Sequence, residues 1–402
     1  MSQATEILGA SRAPHVRLVA AIGAAHFVSH YYILLLAPLL PFVRADYAVS
    51  YTQIGLALAA FNVVSTVLQT PVGFLVDWLG ARILLIMGLL IGASAFMVAG
   101  LVDSFWMLVA MFALAGVGNT VYHPADYALL SHHVPADRIG QAFSIHTFAG
   151  MLGSAVAPAS LLMMQNVWGW RGAFIGAGVL GFAVAAILLA VRESPVVQMP
   201  PAPRAADDKT AVGWRLLMSP PILLNLLFFM LLAMISGGIY NYSVVALGVM
   251  YGTPVTSANI ALTGFLALSA TGVLIGGLLV ARTTRHAMVA TIGLLVMGLI
   301  MALIAQVDLG SLLLIAAMSL GGFFSGVIMP SARHDRARDY PARLVRQGVR
   351  LRDDRVQPRR HRLALIFGAI MDHGSPSLVF LLVAAFSLIA IATVAVVPRR
   401  AG

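Results

Sequence analysis

Gly73-Phe74-Leu75-Val76-Asp77-Trp78-Leu79-Gly80-Ala81-Arg82 decides how this chain is read. It joins two apolar runs, each long enough to cross a bilayer, through a turn too short for a domain. Gly80 suits the backbone reversal, Gly73 is expected to let two helices approach closely, and Asp77 and Arg82 set opposite charges at the membrane surface. These four residues read as a hinge between spans.

Composition supports that reading. Of 402 residues, 60% are hydrophobic and only 10% charged, whereas a soluble protein of this size carries about a quarter of its residues charged. Apolar runs of 20 or more residues recur from end to end, and about 20 residues of helix cross the hydrocarbon layer. Met1 to Pro14 is polar and small, and the first apolar run is too long for a signal core, so no cleaved signal is expected. Cysteine is absent, which removes disulfides, thiolate metal sites and cysteine nucleophiles.

The pattern G-x-L-x-D-x-x-G-x-R resembles the signature between the second and third helices of the major facilitator superfamily, with Trp78 where that family carries a second basic residue. A weaker copy begins 204 residues later, Gly277-Leu278-Leu279-Val280-Ala281-Arg282-Thr283-Thr284-Arg285, with Ala281 for the aspartate and Thr284 for the second glycine. Paired copies half a chain apart point to duplicated halves. The resemblance implies an all-α polytopic membrane protein of two six-helix bundles, twelve helices in all, working by alternating access.

The apolar runs give eleven spans, near residues 16–43, 51–78, 82–101, 104–131, 138–166 and 172–191, then 221–250, 256–281, 287–306, 310–331 and 375–398. The expected domains are 1–191 and 220–402, with a cytoplasmic linker at 192–219 holding Pro195, Pro200, Pro201, Pro203, Asp207, Asp208 and Lys209. Twelve Lys and Arg residues fall in the loops shared with the N-terminus, against Arg44 and Arg171 in the others. That bias places both termini in the cytoplasm of an inner membrane.

The count exposes an anomaly. Ala332 to Leu363 holds 11 arginines and 4 aspartates, a net +7 of the chain's +10, and no lysine. Each central arginine costs about 3 kcal/mol or more in a span, so the eleventh helix is disrupted here. Eleven arginines without a lysine suit GC-rich DNA read out of frame between two compensating shifts, and free choice of wobble bases permits an apolar helix start over Leu344 to Asp354. A basic loop held to anionic lipid is the alternative.

Ionisable groups within spans default to function. His26 and His30 share one helical face, with Tyr31 and Tyr32 beside them, and suit holding or passing a proton. Hydrogen bonding to neighbouring helices is the alternative. An i, i+4 histidine pair also suits a metal, but with no cysteine or nearby carboxylate to complete a shell no metal is expected. Gly116-Val117-Gly118-Asn119-Thr120-Val121-Tyr122-His123-Pro124-Ala125-Asp126 reads as a helix broken at Pro124, with His123 and Asp126 at i, i+3.

With Ala25-His26-Phe27 and the run from Asn62 to Gln69-Thr70-Pro71-Val72-Gly73, this string resembles the fosmidomycin-resistance branch of the superfamily, its acid one place later at Asp126. In the fifth span, Gly153, Ala157 and Pro158 resemble a drug-antiporter motif, and His146 lies on the same helix. The arginine that many antiporters carry in the fourth span is replaced by Phe112. By resemblance the cavity takes in Asn62, Gln69, Tyr240 and Asn241, while Tyr242 reads as an interfacial anchor. The Gly321-Gly322-Phe323-Phe324-Ser325-Gly326 run reads as flexible, and Asp308 and Asp372 as solvated loop edges.

The expected activity is efflux of a small organic molecule in exchange for protons, by a monomer with no cofactor, no nucleic acid partner and no catalysis. Uptake of a small organic acid and a non-transporting membrane sensor are the alternatives. A histidine-rich membrane oxygenase needs several clusters in cytoplasmic loops, and only His132 and His133 are adjacent there.

Overall fold

The computed structural model describes residues 2–135, 137–191, 220–283, 285–338 and 360–396. Among these every regular element is helical and no strand occurs. The helices are α1 (Ser2–Ile33), α2 (Leu40–Tyr47), α3 (Tyr51–Leu79), α4 (Ala81–Ala99), α5 (Phe105–Asn119), α6 (Tyr122–His133) and α7 (Ile139–Ala190). After the linker come α8 (Pro220–Tyr251), α9 (Val255–Arg282), α10 (His286–Ile304), α11 (Gly310–Arg338), α12 (Arg360–Asp372) and α13 (Ser377–Val396). A single 3-10 turn, Ala37–Leu39, links α1 to α2.

Ten of the described helical segments are long and apolar enough to cross a membrane. One of them, α7, has 52 residues, far beyond a single crossing. Gly169, at φ 73° and ψ 173°, bends it into two spans, so each of the eleven apolar runs has its helix. The outside is greasy, with Phe74, Trp78 and Leu312 more than 70% exposed. Lipid as the solvent removes the cost of that exposure.

The hinge folds partly as expected. Gly80 alone separates α3 from α4 and stands at φ 89°, where a side chain is strained. Arg82 turns its guanidinium to the carbonyls of Leu188 (2.8 Å) and Leu189 (3.2 Å), closing the exposed C-terminal end of α7. The side chain of Asp77 lies outside what the structure describes. Gly73 departs from expectation: among the described residues, a Cβ there would meet nothing within 4 Å.

The chain gathers into two compact units. The first comprises Met1–Leu35, Val64–Ala157 and Met164–Lys209, the second Leu36–Val63, Pro158–Met163 and Thr210–Gly402. Within the first, Phe96, Phe112 and Phe174 form a ring cluster with centroids 5.4 to 6.3 Å apart. Phe112 is therefore packed into the core rather than turned to a cavity. Tyr32 donates to the Ala177 carbonyl at 3.1 Å. Gly88 of α4 and Gly118 of α5 bring two backbones together, since a Cβ on either would stand 2.7 to 2.8 Å from the other's carbonyl oxygen.

The second unit has a similar seam. A Cβ on Gly272 of α9, or on Gly322 or Gly326 of α11, would sit 2.0 to 2.1 Å from a carbonyl oxygen of the facing helix. The Gly321 to Gly326 run thus serves close helix packing. Tyr242 is fully buried against Phe367, its ring 5.8 Å away, so it is a core residue and not an interfacial anchor.

Asp372 is not simply solvated either. Its two carboxylate oxygens accept the backbone N–H groups of Tyr51 (2.7 Å) and Thr52 (2.8 Å), capping α3 from the end of α12. Ser50 and Gln53 complete the same terminus as a capping box, the Ser50 N–H donating to Oε1 of Gln53 and the Gln53 N–H to Oγ of Ser50. Burial pushes the Asp372 carboxyl up, but the donors from Thr52 and Tyr51 outweigh it and hold the group below its usual range.

Of the arginine-rich segment, residues 339–359 lie outside the described region, as does the 192–219 linker. The 13 residues of α12 reach only about 20 Å, short of the hydrocarbon thickness of about 30 Å.

Candidate functional site

Three helices of the first unit point ionisable side chains at one another. His26 and His30 lie one turn apart on α1, and His123 and Asp126 lie three residues apart on α6. His146, Gly150 and Ser154 follow at four-residue intervals on α7, so each helix offers a single face. Sequence spacing fixes those faces, and packing turns them toward a common point.

Pro124 explains how α6 begins. It carries no N–H, so the carbonyl of Thr120, four residues back, loses its helical donor. The helix accordingly stops at Asn119 and restarts at Tyr122. Thr120 and Val121 keep right-handed helical angles, so the interruption is in the hydrogen bonding and barely in direction. The break falls just before Pro124 rather than at it.

Asp126 is the centre. It has no exposure, and its Oδ2 lies 2.9 Å from Nε2 of His146 and 3.4 Å from Nδ1 of His26. The His26 and His146 rings stack at 3.7 Å between centroids, with His30 at 4.7 Å and His123 at 5.3 Å from the His26 ring. His26 and His146 are 4% and 2% exposed, while His30 is half-buried and His123 exposed. His30 Nδ1 pairs with Oγ of Ser154 at 3.1 Å. Tyr127 closes one side with its ring 5.8 Å from that of His146.

The cluster exists because α7 carries glycines opposite α1. A Cβ on Gly150 would stand 2.5 Å from Cδ2 of His26, and one on Gly153 would stand 2.2 Å from the Phe27 carbonyl oxygen. The imidazoles occupy space that any other residue would fill. The grouping also leaves two buried atoms, Nδ1 of His26 and Oδ1 of Asp126, without a hydrogen-bond partner. A buried carboxylate is costly unless paired and fully hydrogen-bonded, and here Oδ2 meets His146 while Oδ1 has no hydrogen bond.

The structure thus brings together five of the residues singled out from sequence: His26, His30, His123, Asp126 and His146. It treats the others differently. Asn62 donates back to the Leu58 carbonyl of its own helix at 2.7 Å, and Gln69 is half-buried two turns further along. In the second unit, Asn241 donates to the Gly237 carbonyl at 3.0 Å and the half-buried Tyr240 lies edge-on to Phe265. Ser154 and Tyr127 are additions; Ser154 was legible as the next member of the 146, 150, 154 series. Asn119, donating to Ser65 Oγ at 2.8 Å, ties α5 to α3 beside the break. The expectation that no carboxylate stands near the α1 histidines does not hold, because Asp126 reaches them from α6.

Residues 22–344 match the Major Facilitator Superfamily. The chain belongs to that family. Its curated relatives include the "Probable L-galactonate transporter" of Escherichia coli K12, 30% identical over 143 residues, 36% of this chain and 32% of the relative. The "Fosmidomycin resistance protein" of the same strain is 25% identical over 262 residues, 65% of this chain and 64% of the relative. A "Probable sulfoacetate transporter" of Cupriavidus necator is 31% identical over 147 residues, 36% and 34% of the two chains. The chain therefore matches between about a third and just under two thirds of the length of these relatives.

Among solved structures of the family, a bacterial homologue of the human lysosomal transporter Spinster superposes with a TM-score of 0.74 at 15% identity, covering 95% of this chain and 98% of the other. The nucleoside transporter NupG gives 0.69 at 15% identity, covering 94% and 98%. At these identities the likeness shows the fold.

Proposed function

We propose that the chain is a secondary carrier that moves a small organic molecule across the inner membrane by alternating access, with proton exchange at the His26, Asp126 and His146 cluster, in the efflux direction. One observation supports the coupling: a fully buried carboxylate lies within 3.4 Å of two buried imidazoles on neighbouring helices. Such a group is stable in few protonation states, and ionisable residues within spans mark ion and substrate paths. Membership of the family supports the carrier reading, and the fosmidomycin-resistance relative supports efflux. Asp77 and Arg82 belong to the hinge that such movement requires, with Arg82 braced on the end of α7.

A second reading, uptake of a small organic acid, is favoured by relatives named for L-galactonate, sulfoacetate and nitrate, all anions. Partly exposed imidazoles at His30 and His123 suit an anionic cargo in either direction, since both are hydrogen-bond donors when protonated.

The test is transport into proteoliposomes under an imposed pH gradient, with labelled sugar acids, sulfonates and phosphonates as cargo. Gradient-driven flux that Asp126→Asn abolishes, while counterflow persists, fits the reading. Flux indifferent to the gradient removes proton coupling, and absence of counterflow with every cargo favours a sensor over a carrier.

A further inference from the structure

We propose that His26, Asp126 and His146 form a binding site for a divalent transition-metal ion of the zinc, cobalt or nickel type. The inference goes beyond the carrier reading and rests on the geometry of the donors alone.

Bonds of about 2.0 to 2.2 Å from a tetrahedral zinc ion to nitrogen and oxygen place neighbouring ligand atoms about 3.3 Å apart. Two of the three separations stand near that value: Oδ2 of Asp126 lies 2.9 Å from Nε2 of His146 and 3.4 Å from Nδ1 of His26. One ligand atom from each of the three residues falls within 4.8 Å of the other two. The His26 and His146 rings are stacked, so an ion between them requires one imidazole to turn its nitrogen toward the other.

The buried atoms that lack hydrogen bonds point the same way. Nδ1 of His26 and Oδ1 of Asp126 have no hydrogen-bond partner, and their residues are 4% and 0% exposed. Native proteins rarely leave such atoms unmet. A cation would take the lone pair of the first and neutralise the carboxylate of the second. Two imidazoles and one carboxylate are a borderline donor set, matched to zinc, cobalt or nickel and poor for magnesium or calcium, which favour oxygen.

Three protein ligands leave a fourth position. A water can fill it, and the exposed His123 lies near, its ring 5.3 Å from that of His26. His30, fixed on Ser154, packs behind His26 and limits its rotation. The chain holds no cysteine, so thiolates elsewhere cannot compete for the metal.

The experiment uses the full chain, purified in detergent through a tag without histidine and titrated calorimetrically with zinc. One equivalent is expected, weakened at least 100-fold in His26→Asn and in His146→Asn and unchanged in His132→Gln with His373→Gln, whose rings lie on the surface. No saturable binding, or equal affinity in the wild type and the triad variants, overturns the site. Zinc-edge X-ray absorption on the wild type guards against variants that fail to fold. Two imidazole nitrogens in the shell support the proposal, and an oxygen-only shell overturns it. Vesicle flux under a pH gradient is scored separately, so zinc binding without flux keeps the site and removes the carrier reading, and flux without zinc binding does the reverse.

Discussion

Replacing Gly153 by alanine should loosen the contact on which the cluster depends. The added Cβ would lie 2.2 Å from the Phe27 carbonyl oxygen and 3.0 Å from its carbon, whereas ordinary carbon contacts begin near 3.4 Å. The obstruction is backbone, so no rotamer change relieves it, and α1 or α7 must retreat by about 1 Å. Overpacking of this kind costs about 1–3 kcal/mol. The retreat also carries His26 and His30 away from Asp126 and Ser154, stretching contacts that stand at 3.4 and 3.1 Å. Gly73→Ala is the control. It too removes a helical glycine, but its Cβ meets nothing within 4 Å, so it should gain about 0.5–1 kcal/mol from lower chain entropy. Unfolding in mixed detergent micelles compares the two, and Gly153→Ala should be the less stable by about the overpacking cost. Equal stability would show that α1 and α7 do not pack as closely as the structure places them.

Gly80→Ala should cost about 1–3 kcal/mol, because φ 89° is strained for any residue with a Cβ and nothing else turns α3 into α4; thermal melts in detergent would register it. Asp372→Ala removes two hydrogen bonds from the start of α3 and should cost about 1 kcal/mol, the usual worth of a cap. Its stabilisation has a definite pH sign. A carboxyl held below its normal value stabilises fully above about pH 4 and loses that contribution as pH falls through the depressed folded value, so wild type and variant should converge in acid. Pro124→Ala should restore the donor to the Thr120 carbonyl and stiffen the α5 to α6 junction, read as slower amide exchange at Val121 to Asp126. A version of the gene restored in frame across residues 332–363 should surpass the present chain in flux, and equal flux would leave the segment as a native basic loop. The nucleotide sequence decides the same question directly, since the frame idea requires one single-base shift at each end.

Much of this protein was fixed by local rules. A chain with 60% hydrophobic residues and 10% charged must satisfy its backbone inside lipid, and helices do so without partners, so all eleven spans could be read residue by residue. Gly80 was legible because a one-residue reversal needs a positive φ, and a turn concerns only its own backbone. Periodicity also grouped His26 with His30 and His123 with Asp126, since residues three or four apart share a helical face whatever the surroundings.

Which way those faces turn is a different matter, set by rotation of each helix about its axis against its neighbours. Only the tertiary structure decides it. Gly73 and Gly153 look alike in sequence, yet one meets open space and the other a carbonyl oxygen. Asp372 reads as a loop carboxylate until α12 is laid against Tyr51, 321 residues away. The same holds for Asp126: nothing near it in the chain announces His26 or His146, and only the packing of α1, α6 and α7 closes three separate faces on one buried carboxylate.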